Sequence, residues 1–228
     1  MADKDMLYHE LLEALQAGGC AVCRLARRAS DSYINALLYE GVVDVDLRQK
    51  LRDARGPCHV HAWRMAHRRG SVLGTAIVYR DVINTLTKGL ETPERRRLWS
   101  GRQDSAADRL AATEPCPACR LEEDAIRRAV KTLLKHIGDP AIAQSYIAAG
   151  GLCLPHFTAA LTHAGGAAST HLREWQATVY RGLRDELDEL IRKHDHRFRS
   201  ETITEREATA WTRAVATVVG EDEPAGRE

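Results

Sequence analysis

Apolar side chains recur along this chain at helical spacing, and glycine and proline mark where each helical stretch stops. Leu7, Leu11, Leu12 and Leu15 define one apolar face over residues 4–17, which Gly18-Gly19 brings to an end. No Gly or Pro interrupts 21–39, where Leu25, Ile34, Leu37 and Leu38 predict a second helix. Asp44 or Asp46 caps a short third helix running to Arg55, and Gly56-Pro57 closes it. A fourth segment spans about 59–90 with Ile77, Val78, Val82, Ile83 and Leu86 on its buried side; Gly70 and Gly74 lie inside it, so it is either kinked or two helices. Residues 92–113 read as a polar connector that opens on the helix-start signal Thr92-Pro93-Glu94. A helix over 118–137 follows, then one that starts with Asp139 as N-cap and Pro140 at its first position and ends at Gly150-Gly151. Another begins at Cys153, tolerates Pro155 in its first turn and stops at Gly165-Gly166. One long helix is expected over 167–196, striped by Leu172, Val179, Leu183, Leu187, Leu190 and Ile191. The capping box Thr204-Glu-Arg-Glu207 starts a last helix carrying Trp211, Val215 and Val218, and an acidic disordered tail runs from Gly220.

Laid over this all-α pattern is a repeat. Cys20-Ala-Val-Cys23-Arg-Leu is restated as Cys116-Pro-Ala-Cys119-Arg-Leu, and Gly56-Pro-Cys58-His-Val-His61 as Gly151-Leu-Cys153-Leu-Pro-His156. The gap between the motifs holds 34 residues in the first copy and 33 in the second, and the C-x2-C motifs are offset by 96. C-x2-C turns two sulfurs toward one point and C-x2-H a sulfur and an imidazole, so each half carries a Cys3His set suited to tetrahedral zinc, two Zn2+ per chain. A closed shell of four protein ligands leaves no open position, which points to a structural role. The expected ligands are Cys20, Cys23, Cys58 and His61 in one half and Cys116, Cys119, Cys153 and His156 in the other; short loops favour pairing within each half over pairing across the repeat. His59 is the rival of His61, which is preferred for its alignment with His156. Disulfides and inert core cysteines are weaker readings; the serious rival is an iron–sulfur cluster, since thiolates with an occasional His also hold iron.

The remaining composition narrows the function classes. With 33 basic and 32 acidic residues the net charge is +1, which gives no global pull toward nucleic acid or anionic membrane. No run of 18 apolar residues exists, so no membrane span is expected. The chain opens on no apolar signal segment and reads as cytoplasmic. Aromatic content of 5% with abundant Ala, Leu, Arg and Glu suits a helical protein whose packing is supplemented by metal. The division predicted is a metal-binding module at 1–91, the connector at 92–113, a second module at 114–166, C-terminal helices at 167–220 and a tail at 221–228.

Three polar clusters compete for function. Arg64, His67, Arg68 and Arg69, and separately Arg95–Arg97, read as solvated faces before they read as phosphate contacts. Lys193, His194, Asp195 and Arg197 form the densest cluster and suit an anion pocket or partner contact; the plainer meaning is a cationic helix C-terminus anchored by Phe198. No serine, spare cysteine or Gly-rich loop completes a catalytic set, so an enzyme is disfavoured. The paired C-x2-C-R-L and G-x-C-x2-H motifs, followed by Lys193-His-Asp-x-Arg-Phe198 and the helix around Trp211, resemble an uncharacterised bacterial family of duplicated Cys-rich helical proteins, from about Cys20 to Gly220. The resemblance implies no reaction; it implies that the Lys193–Phe198 segment recurs. The expectation is a zinc protein acting through a protein partner, with an iron–sulfur or redox protein, then a regulatory nucleic-acid binder, as alternatives.

Overall fold

The computed structural model describes residues 4–39, 41, 44–93, 95–96 and 103–221, and among them the fold is all-α, with eleven α-helices. They are α1 (Met6–Gln16), α2 (Ala21–Tyr39), α3 (Val45–Asp53), α4 (His59–Ala66), α5 (Val72–Glu91), α6 (Ala106–Leu110), α7 (Pro117–Lys135), α8 (Pro140–Ala149), α9 (Leu154–His163), α10 (Gly166–Lys193) and α11 (Glu205–Val219). The extended exception is a two-residue antiparallel bridge of Arg95–Arg96 with Gln103–Asp104. The rest of the Arg95–Arg97 run and of the acidic tail, from Asp222, lies outside the described residues.

Local chemistry sets the helix ends. Asp5, Asp44 and Asp139 accept from backbone N–H groups in the first turns of α1, α3 and α8, and Pro140 takes the first position of α8. Both Ser105 with Asp108 and Thr204 with Glu207 form reciprocal capping boxes. The segment expected at 59–90 is two helices, and the break falls at Gly70, whose φ is 75°, while Gly74 lies buried within α5.

The helices group into two compact units that do not follow the order of the repeat. One contains the described residues of Met1–Arg27 and Asp124–Glu223, the other those of Arg28–Glu123. The tandem modules expected at 1–91 and 114–166 are therefore not the units of the structure. The core of the first unit is built from Tyr8, Leu11 and Leu15 of α1, Val22 of α2, Val130 and Leu133 of α7, Ile142 and Tyr146 of α8, Ala160 of α9 and Leu172 of α10. The smaller core of the second joins Ile34 and Leu37 of α2, Leu51 of α3, Met65 of α4 and Val78 of α5. Helices α2 and α7, 19 residues each, thus give their N-terminal and C-terminal parts to different units. The expected connector is docked in the second unit: Arg109 donates to the Gly89 and Thr92 carbonyls, and the Thr113 N–H to the Asp53 carbonyl at 2.8 Å.

Candidate metal centres

Each unit contains one set of three cysteines and a histidine, assembled from the C-x2-C of one repeat and the C-x2-H of the other. Cys20 and Cys23 meet Cys153 and His156 in the first unit; Cys58 and His61 meet Cys116 and Cys119 in the second. This corrects the expected pairing within halves. The donor atoms of each set lie within 4.8 Å of one another. His61 supplies its set with Nδ1, while His59 is exposed on the opposite side of the first turn of α4 and takes no part.

The geometry suits a single ion. Bonds of about 2.3 Å to sulfur and about 2.0 Å to nitrogen in a tetrahedron put sulfur–sulfur edges at ~3.8 Å and sulfur–nitrogen edges at ~3.5 Å. In the first set Cys23 Sγ lies 3.6 Å from Cys153 Sγ, and His156 Nδ1 lies 3.5, 3.3 and 3.2 Å from Cys20, Cys23 and Cys153. In the second, Cys58 and Cys119 are 3.6 Å apart, and His61 Nδ1 lies 3.2, 3.7 and 3.4 Å from Cys58, Cys116 and Cys119. A disulfide requires about 2.05 Å, and all six thiols are free.

Helix starts place these groups. Cys58 and Cys153 are the residues capping α4 and α9, and Cys20 and Cys116 directly precede α2 and α7. Each sulfur therefore sits among N–H groups that have no helical acceptor. Burial raises the Cys116 thiol, but His61 and the N–H groups of Cys119 and Ala118 outweigh it and bring it down to about 6. Cys23 falls well below the usual thiol range, chiefly through hydrogen bonds from Cys153 and Cys20, while Cys153, Cys23 and burial push Cys20 up. His61 is raised to about 10 by Cys116 first and Glu122 second; His156, although burial opposes it, rises to about 9 beside Cys153 and Cys23. A divalent cation bound at either set would displace the protons of its thiols and of its imidazole Nδ1.

The supporting shell was largely missed from sequence. Glu122 accepts from His61 Nε2 at 3.0 Å and from the Ser30 hydroxyl at 2.7 Å, with Arg64 Nη1 at 3.3 Å. Although burial disfavours its charge, these partners hold its carboxyl down at about 2. A proton held on Nε2 by Glu122 leaves the Nδ1 lone pair facing the thiols. The buried Gln176 of α10 clamps the turn before Cys153, donating to the Leu152 carbonyl at 3.0 Å and accepting from the Leu152 N–H and the Tyr146 hydroxyl. Its signal was present as a lone amide one turn beyond Leu172. The Arg of the first C-x2-C-R-L motif also acquires a purpose: Arg24 donates to the Gly18 carbonyl at 2.6 Å, bracing the turn that delivers Cys20. Glu221, expected to be disordered tail, accepts from the Cys20 N–H at 2.6 Å.

The Lys193–Phe198 cluster forms the turn between α10 and α11 and pairs within the turn and with α11. Lys193 reaches both Glu207 oxygens at 2.8 Å, Asp195 caps a 3-10 turn and pairs with Arg197 at 2.7 Å, and His194 Nδ1 lies 2.8 Å from the Leu190 carbonyl. Phe198 lies beneath the Arg192 guanidinium. Of the first basic cluster, Arg64 faces Ser30 and Glu122, and Arg68 pairs with Asp31 and Asn35.

Comparison with known proteins agrees in extent. A family of unknown function (DUF6062) matches residues 9–224. The uncharacterized 23.9 kDa protein in the xynA 3'region of Caldicellulosiruptor sp. (strain Rt8B.4) is 27% identical over 216 residues, covering 92% of this chain and 99% of that protein. No solved structure matches.

Proposed function

The chain belongs to this family of unknown function, and from its two ligand sets we propose that it is a zinc-binding helical protein whose metals are architectural and which acts through a protein partner. The observation that carries the reading is that each set closes on four protein donors at tetrahedral edge lengths. Bound zinc supplies a fixed junction between the helix starts of α2 and α9, and between those of α7 and α4. An iron–sulfur cluster spreads its ligands over several irons, whereas donors within 4.8 Å of one another enclose one ion, which favours zinc. Support for a partner comes from α11, whose Trp211, Val215 and Val218 lie on one face and are 60%, 56% and 55% exposed. Engagement of Arg64 and Arg68 with acidic neighbours removes support from a nucleic-acid reading. No helix among the described residues is long and apolar enough to cross a membrane, and the free thiols suit a reducing compartment such as the cytoplasm.

Elemental analysis of anaerobically purified protein, with its visible spectrum, tests the proposal. About two zinc ions per chain and no colour are expected. Iron, with a brown chromophore, would move the function to redox chemistry; a chain that carries no metal and takes up no zinc would overturn the reading.

A further inference from the structure

The two ligand sets have the same donors but different surroundings, and the difference is written in the repeat itself. At the 96-residue offset that lays Cys20–Cys23 on Cys116–Cys119, Glu122 falls on Ala26 and Pro115 falls on Gly19. Behind His61 stands a carboxylate one turn into α7, itself held by Ser30 and Arg64. Ala26 has nothing to offer His156 in that way. The first set is instead covered by the end of the described chain. Gly220 lies against Cys23, a Cβ built on it coming within 3.8 Å of the sulfur. The Glu221 N–H donates to the Cys23 sulfur, its carboxylate accepts from the Cys20 N–H at 2.6 Å, and its carbonyl accepts from Arg27 at 3.4 Å. Gly19 makes room for this strap: a Cβ there would stand 1.8 Å from the Glu221 carboxylate.

We infer that the two centres are not equivalent: the Cys20–Cys23–Cys153–His156 centre exchanges its ion by opening of the Gly220–Glu221 strap, and the Glu122-backed centre retains its ion. The inference rests on the metal-binding reading above. Opening the strap breaks the few hydrogen bonds that Glu221 makes beyond the last turn of α11 and uncovers Cys20 and Cys23, whereas Glu122 is carried on α7 and held at once by His61, Ser30 and Arg64. Exchange at one centre thus needs only the strap to lift, whereas at the other the carboxylate behind the histidine is seated on three partners. In this arrangement Glu122 is a positioning residue for His61 and Glu221 a gate.

The test uses the full-length, zinc-loaded protein challenged with the chromogenic chelator 4-(2-pyridylazo)resorcinol. Released zinc is followed in time, and thiols alkylated at intervals are mapped by mass spectrometry. Two phases of about one zinc each are expected, the faster accompanied by alkylation of Cys20, Cys23 and Cys153. Glu221→Ala accelerates the fast phase alone. Glu122→Gln accelerates the slow phase alone, by about 10- to 100-fold, as loss of a ligand's hydrogen-bond partner typically does, and Glu122→Asp recovers part of the retention. Circular dichroism before the challenge establishes that each variant is folded. Release in a single phase, earlier alkylation of Cys58, Cys116 and Cys119, or equal effects of Glu122→Gln on both phases would overturn the inference while leaving the metal reading intact. A wild-type chain that binds no zinc at all would overturn both.

Discussion

Asp81 on α5 takes two guanidinium groups from α3, Arg48 Nε at 3.1 Å and Arg52 Nη1 at 2.6 Å. Partial burial alone would raise its carboxyl, but the two arginines outweigh this and hold it below 3.8. A carboxyl depressed in the folded state stabilises above its unfolded value and loses that contribution as pH falls through the folded one. Denaturant midpoints measured from neutral pH down through 3.8 should therefore fall more steeply for the wild type than for Asp81→Asn, and parallel curves would show that the pair contributes nothing. Gln176 makes a different kind of contribution, because its partners are buried. Replacing it with Leu leaves the Leu152 amide groups and the Tyr146 hydroxyl without their partner, at about 1–3 kcal/mol for each unsatisfied group. Gln176→Leu should lower the melting temperature and loosen zinc at the Cys153 centre, leaving the Cys58 centre's affinity unchanged.

At the scale of elements, the contact between α2 and α5 depends on Gly74. A Cβ at that position would lie 2.9 Å from the Leu38 side chain and 3.0 Å from its carbonyl oxygen, so the helices touch there nearly backbone to backbone. Gly74→Val should destabilise the protein by about 1–3 kcal/mol through overpacking, although glycine is the poorer helix former; a gain in thermal stability would show that the contact can open cheaply. The same helix shows what periodicity reads well and what it reads badly. Val78 and Val82 are buried as expected, but Ile83 is 56% exposed, because the stripe is narrower than its apolar residues suggest. In α11 the capping box was legible from Thr204 and Glu207, while the side that packs on α9 and α10 is the one holding Ala210, which leaves Trp211 outward. The polar segment after α10 offered an anion pocket or, more plainly, a cationic helix end anchored by Phe198; in the structure Lys193 pairs with Glu207, Arg197 with Asp195 and Arg192 with Glu201 around the turn.

The arrangement of the whole chain rests on which motif meets which. In double variants analysed for metal content, Cys20→Ser with Cys153→Ser should lose one zinc, no more than either change alone, whereas Cys20→Ser with Cys58→Ser should lose both. Pairing within each half would exchange these two results. The sequence by itself determined the all-helical class, the caps, most helix boundaries and the four motifs whose cysteines and histidines gather into the two sets, because these depend on residue chemistry at short spacing. It did not determine the partners across the chain. Loop-closure entropy favours neighbours, but it grows only logarithmically. Lengthening the loop from about 34 residues to the 130 between Cys23 and Cys153 is two doublings, which cost about 1.2 kcal/mol. Burial of the long-range core that joins α1, α7, α8 and α10 outweighs so small a term. Tertiary packing therefore decided the crossed pairing, the seat of Gln176 and Glu122 beside the sites, and the closing of Glu221 over one of them.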